Sequence, residues 1–335
     1  MTFRVSGARV VWWRRTPPAI FSPLLGLIGL GLAWRRAAEI YLLPEAIPET
    51  LLGAAVMLYG FCLMAYLAKV LRRPHVIGEE VAVLPGRAGL SALSICFMAL
   101  AAVLEPYGRP LALWVLWGGM ALHLFLALVI VRYIRHAPSE QRVVTPLWHL
   151  HFVGFIVTAI AAVQLRMDGL GLFLLVLTVP VALAIWIASA AQYLAAPPVA
   201  PLRPLLTIHL APASLFALVS AQLGYHDLAF GFAVLAVVLF VALVSRCFWL
   251  AASEFSPLWG AFTFPVAAFA VAMTEQATPK VLVDVMGFDP AAPFWRIFAA
   301  VALVLASVAV PYVTFRVMRD WARGTLAPAT NAATA

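Results

Sequence analysis

Charge is what this sequence has least of. Only 11% of its 335 residues are Asp, Glu, Lys or Arg, while 64% are hydrophobic and the mean hydropathy is +1.00. A soluble globular domain carries about 25% charged residues, so the composition excludes that class and points to a membrane protein. Cysteine is scarce as well. Cys62, Cys96 and Cys247 fall in separate apolar stretches with no metal-ligand spacing between any two, which leaves them as small packing residues. There is no H-E-x-x-H, no C-x-x-C and no phosphate-binding glycine loop. Carboxylates are missing from the middle of every apolar block: Glu39, Glu45, Glu79, Glu105, Glu254, Glu275, Asp284 and Asp320 sit in loops or near block ends. Ionisable groups at membrane depth are the usual mark of proton- or sodium-coupled transport and of intramembrane catalysis. Neither an enzyme nor a coupled pump is therefore indicated, and no cofactor or metal is expected.

What is present is a series of apolar blocks. Crossing roughly 30 Å of hydrocarbon takes about 20 helical residues, and ten blocks of that order can be drawn, near 18–35, 48–70, 88–105, 110–131, 146–165, 170–195, 204–223, 228–250, 257–275 and 294–315. The expectation is an all-α integral membrane protein of ten transmembrane helices, a single domain over 1–335 with short tails at 1–17 and 317–335. If the N-terminus is cytoplasmic, the basic residues divide 16 inside to 6 outside, the outside ones being Arg35, Arg36, Arg109, Arg166, Lys280 and Arg296; the inside set includes Arg4 and Arg9. That bias obeys the positive-inside rule and puts both ends in the cytoplasm. The net charge of +8 is then a signal of orientation, and no nucleic-acid partner is implied.

Odd-numbered blocks start near 18, 88, 146, 204 and 257, spacings of 70, 58, 58 and 53 residues. A period of this size is a repeat architecture, here five helical hairpins. Four of the five odd blocks carry a proline: Pro23, Pro146, Pro212 and Pro265. The third has Gly and Ser instead, and the even blocks are plainer runs of Leu and Val. Proline frees a backbone carbonyl that lipid cannot satisfy, so the kinked odd helices are expected inside, around a central pore, with the even ones outside. Prolines and glycines are also simply frequent in membrane helices, which is the plainer alternative.

The polar candidates are few. His149 and His151 are two apart and point to different helix faces; with His123 and His209 they are the possible ligands of a haem or metal in a membrane redox subunit, or else hydrogen-bond to neighbouring helices. Gly26, Gly29 and Gly31 in "GLIGLG" suit close helix packing. Ser22, Ser94, Thr158, Thr207, Ser214, Ser220 and Thr263 are neutral hydroxyls that can donate to an anion without trapping it, and they are the expected pore lining.

In the ninth block, "FTFPVAAFA", Phe264 shares a helical face with Pro257, Gly260, Ala261, Ala268 and Val271. A bulky ring among small residues is either a knob in helix packing or a plug in a pore. "PLWGAFTFPVAAFAVA", with "LLTIHLAPASLFALVSAQLG" in the seventh block and "FSPLLGLIGLGLAW" in the first, resembles the tellurite-resistance/dicarboxylate transporter family, which includes the plant slow anion channels. The resemblance covers nearly the whole chain. Ala- and Arg-rich usage and short tails suit a bacterial inner membrane. The resemblance implies a homotrimer, each protomer with its own pore lined by the five odd helices and occluded by one phenylalanine. That residue maps onto Phe264, with Phe262 as the competing position; Pro23, Pro146, Pro212, Pro265 and Gly260 would shape the pore. The implied cargo is a small anion such as chloride or nitrate, or a C4-dicarboxylate, moving passively through a channel or uniporter. An exporter of tellurite or sulfite would share the same fold.

Overall fold

The computed structural model describes residues 12–139, 142–278 and 292–334; Arg4, Arg9, Lys280 and Asp284 lie outside them. The described residues are helical without strands. In chain order the helices are α1 Phe21–Tyr41, α2 Ala46–Arg72, α3 Val76–Ala82, α4 Leu84–Leu104, α5 Arg109–His136, α6 Ile156–Gln164, α7 Asp168–Ala195, α8 Leu210–Gln222, α9 His226–Ser245, α10 Cys247–Leu250, α11 Phe264–Ala277, α12 Ala292–Ala322 and α13 Leu326–Ala329.

Five of these close a ring. α1 packs on α4, α4 on α6, α6 on α8, α8 on α11, and α11 back on α1. Each is backed by the next long helix in the chain, α2 on α1, α5 on α4, α7 on α6, α9 on α8 and α12 on α11. Burial separates the two sets. In the apolar stretches the buried share is 72%, 83%, 83% and 61% for the segments ending in α1, α4, α8 and α11, against 33%, 33%, 33%, 22% and 39% for α2, α5, α7, α9 and α12. The outer five are also the more apolar, as helices solvated by lipid must be.

Small residues let the ring close tightly. A Cβ on Gly260 would lie 2.8 Å from Ser22 Cβ, closer than real contacts allow, so glycine is what permits the segment before α11 to cross the start of α1. Large rings fill the gaps between inner and outer helices. Phe269 of α11 stacks on Phe240 of α9 at 4.3 Å, and Tyr59 of α2 donates its hydroxyl to the Leu93 carbonyl of α4 at 3.0 Å.

Nine helical segments among the described residues are long enough to cross a membrane, and the fifth block supplies a tenth, shorter one, a π-helical turn at His149–Val153 leading into α6. One expectation is corrected: the prolines of the odd blocks do not bend continuous helices. Pro23, Pro212 and Pro265 stand in the first turns of α1, α8 and α11, each after a 3-10 segment (Pro18–Ile20, Ala200–His209 and Pro257–Phe262), and Pro146 precedes the π turn. Proline is accepted in a first turn because its missing N–H has no intrahelical partner there. Three inner segments are thus broken, with α6, α8 and α11 starting well inside, whereas α1 and α4 are α-helical over nearly their full length. The second inner helix also has its proline, Pro85 in the first turn of α4, just ahead of the third block, drawn from 88. The described parts of the tails pack on the helices: Lys69 donates to the Thr16 carbonyl at 3.0 Å, and Leu326 and Thr330 are buried.

Candidate functional site

Two cavities lie on the axis of the ring. The first, about 40 Å³, is lined by the N-terminal ends of the inner segments, and the second, about 240 Å³, by their C-terminal halves. Both draw on all five segments, each of which presents a stripe at three- and four-residue steps. On α1 the stripe is Ser22, Leu25, Gly29, Leu32 and Arg36; on α8 and the turn before it, Ile208, Ala211, Leu215, Leu218 and Gln222; on α11 and its lead-in, Pro257, Ala261, Phe264, Ala268, Val271 and Glu275. The same end of every inner segment therefore faces the same cavity, so the five run parallel.

Phe264 is the one residue lining both cavities. Its ring is 9% exposed and stands against α1, where a Cβ on Gly29 would come within 3.3 Å of its Cδ2. The neighbours on its helical face divide as the helix requires: Pro257, Gly260 and Ala261 border the first cavity, Ala268 and Val271 the second. Phe262 points elsewhere, edge-on to Trp259 at 5.5 Å and into an apolar groove between α9 and α12, outside the ring. Of the prolines, Pro265 borders the first cavity and Pro212 a small chamber beside Phe264, whereas Pro23 and Pro146 border none of the three.

The hydroxyls mostly serve the backbone. Ser22 borders the first cavity. Ser214 donates to the Leu210 carbonyl at 2.8 Å and Thr263 to Gly260 at 2.7 Å, both within their own segments; Thr158 turns to Met98 Sδ at 2.8 Å. Ser94 bonds His123 and the Ser91 carbonyl. Thr207 shares its proton between the Pro204 carbonyl of its own segment and the Ala261 carbonyl of the adjacent one, and borders the outer groove. Ser94, Thr158, Thr207, Ser214, Ser220 and Thr263 line neither axial cavity. In a medium without water a hydroxyl is satisfied by the carbonyl one turn back, and that local partner takes precedence over the lumen.

The histidines are tied into two sets. His151 Nδ1 lies 2.6 Å from Ser91 Oγ and His123 Nδ1 2.8 Å from Ser94 Oγ, both against α4. His149 Nε2 lies 3.0 Å from His209 Nδ1, whose own Nε2 is 2.9 Å from Ser189 Oγ. The four do not converge on a point, and no group of three or more His, Cys, Asp or Glu among the described residues could hold a metal.

Charge gathers at the mouth of the second cavity. Arg36 bonds Glu275 at 2.9 Å and also Glu39, joining α1 to α11, while Arg35 grips both oxygens of Glu49 at 2.7 and 2.9 Å. At the opposite end a buried ion pair, Lys69 with Glu80, holds α2 to α3. Burial pushes the Glu80 carboxyl up to about 7, with Lys69 pulling the other way. Sequence reasoning placed Arg36 and Glu275 outside without pairing them, since partners 239 positions apart leave no local signal.

A search of curated proteins found no match for the chain. A family model does match it, described as voltage-dependent anion channel (SLAC1), over residues 15–318. That range takes in all five inner segments, the outer helices behind them and Phe264 between the two cavities. The chain belongs to the voltage-dependent anion channel family.

Proposed function

We propose that this chain forms a passive, gated pathway for small anions, a channel or uniporter in which Phe264 is the gate. One observation carries the reading: Phe264 is common to the two axial cavities, so displacing its ring joins them into one path. The first cavity is lined by apolar side chains and Ser22, with no carboxylate to repel an anion. Favourable potential comes from the backbone. The α-helical halves α6, α8 and α11 begin at Ile156, Leu210 and Phe264, near the constriction, and a helix N-terminus is the positive end of its dipole. Selection in such a path is by size and by the cost of shedding water.

With the N-terminus in the cytoplasm, the first cavity faces inward and the Arg36–Glu275 mouth outward, and basic side chains on the inner side draw anions to it. A homotrimer in a bacterial inner membrane, with one path per protomer in a single 1–335 domain, completes the proposal. The test is current through wild-type and Phe264→Ala protein in planar bilayers, with chloride, nitrate and malate in turn as carriers. A large anion current that appears only in the variant is the expected result. A well-folded variant with no more current than wild type overturns the gate; flux of malate or sulfite in vesicles from such a protein would instead indicate a slow exporter.

A further inference from the structure

The way round Phe264 passes through the small chamber beside it, about 20 Å³ in volume, room for one water-sized particle. The chamber shares Leu150, Ile208 and Ala211 with the first cavity and Val157 and Leu215 with the second, and Phe264 with both. It is therefore the link between them. Among its lining residues one side chain is polar: His149.

His149 is 3% exposed, and its Nδ1 is buried without a hydrogen-bond partner. An unpaired polar atom in an apolar chamber is costly, and here it stands on the permeation route. The ring is held from behind. Nε2 meets His209 Nδ1 at 3.0 Å, and His209 Nε2 meets Ser189 Oγ at 2.9 Å. A neutral imidazole has one N–H, so the chain runs in one of two senses, and the sense with Ser189 as donor places an N–H rather than a bare lone pair at the anion's path. If Ser189 donates to His209 Nε2, His209 Nδ1–H donates to His149 Nε2, and the His149 proton must sit on Nδ1, facing the chamber. The π turn at His149–Val153 carries the residue, and such turns are a common means of presenting a side chain at a functional site.

Resting on the anion-pathway reading above, we propose that His149 is the ligand of the permeating anion at the constriction. Its Nδ1–H donates one hydrogen bond to a partly dehydrated, small monovalent anion of the halide or nitrate class as it passes Phe264. His209 and Ser189 are positioning residues that fix the donating tautomer. A single neutral donor in a chamber of this size offers nothing to the second carboxylate of a dicarboxylate, and it releases its ion readily.

Two measurements test this in the Phe264→Ala background. In bilayers, adding His149→Leu should cut chloride current roughly tenfold, the worth of one hydrogen bond to a charged partner, while His149→Asn, which keeps an amide donor, recovers most of it. In histidine ¹⁵N spectra of the detergent-solubilised protein, His149 Nδ1 should carry the proton and shift when chloride replaces gluconate; His209→Phe should abolish that response. Chloride current unchanged by His149→Leu, in a Phe264→Ala protein that conducts, overturns the inference and leaves the gate standing. Absence of current in Phe264→Ala itself overturns the gate, and the spectra then decide for His149 alone: a chloride response supports the ligand, and indifference to chloride, as for a nitrogen that binds only water, rejects it.

Discussion

The Thr207 hydroxyl stands 2.7 Å from the Ala261 carbonyl of the neighbouring inner segment and 2.7 Å from the Pro204 carbonyl of its own, and shares its one proton between them. Ala261 lies four residues before Pro265, so its carbonyl is the one a proline in helical position leaves without a partner. The side chain of one inner segment thus completes the backbone of another, and the break beside Phe264 is stabilised from outside its own helix. Thr207→Val keeps the shape and removes the donor. The expected cost is about 1–3 kcal/mol, read as a lower Tm in detergent, with Thr207→Ser close to wild type. An unaltered Tm for the valine variant would show that the carbonyl is satisfied by other means.

Gly29 and Phe264 should be energetically coupled. A Cβ at position 29 would meet the ring at 3.3 Å and Ala267 Cβ at 3.2 Å, so Gly29→Ala forces the gate residue to move and should destabilise by about 1 kcal/mol or more. In the Phe264→Ala background the part of that cost due to the ring should vanish, while the Ala267 contact remains. A double-mutant cycle with no interaction term would mean that the ring does not rest on α1.

Arg36 bonds Glu275 and Glu39 at the second cavity's mouth. Arg36→Ala leaves two carboxylates facing an anion's path. Through an opened pore, chloride conductance should fall several-fold at low salt and recover as ionic strength rises, because the effect is one of long-range potential. A deficit that persists at high salt would point instead to a change in pore geometry.

The Lys69–Glu80 pair gives a pH signature. Glu80 is held at about 7, above its ordinary 4.5, chiefly by burial. A carboxyl raised on folding contributes its full stability below pH 4.5 and loses it as the pH climbs to 7. Wild type should therefore gain stability over Glu80→Gln as pH falls through that window, measured by thermal unfolding. Lys69→Met alone should cost about 3 kcal/mol by stranding a buried carboxylate, and Lys69→Met with Glu80→Leu should restore most of it. Equal losses in the single and double variants would show that the pair is not the unit.

Much of the architecture could be read from residue order. Alternating apolar blocks with prolines in the odd members foretold an inner and an outer set, and the small residues around Phe264 defined the face that borders the cavities. The third inner segment, the fifth block, is less legible. Its π turn inserts a residue into the helical period, and no hydropathy pattern records that. Pro85 lies three residues ahead of the block drawn from 88, although "LPGR" has the proline-at-the-start form of the others. The hydroxyls misled for a different reason. Spacing places Ser214 or Thr263 on a helix, but only the depth of the surrounding helices decides whether its proton goes to the lumen or to the carbonyl a turn behind.

All five inner segments run in one direction, their N-terminal ends at one cavity and their C-terminal ends at the other. Antiparallel neighbours cancel one another's dipoles; these five, side by side around the axis, add. The stretch between the mouths, free of fixed charge in the first cavity, is consequently polarised, more positive at one end than at the other. Opened and bathed in identical salt on both sides, it should rectify, passing unequal currents at equal and opposite voltages without any voltage-sensing residue.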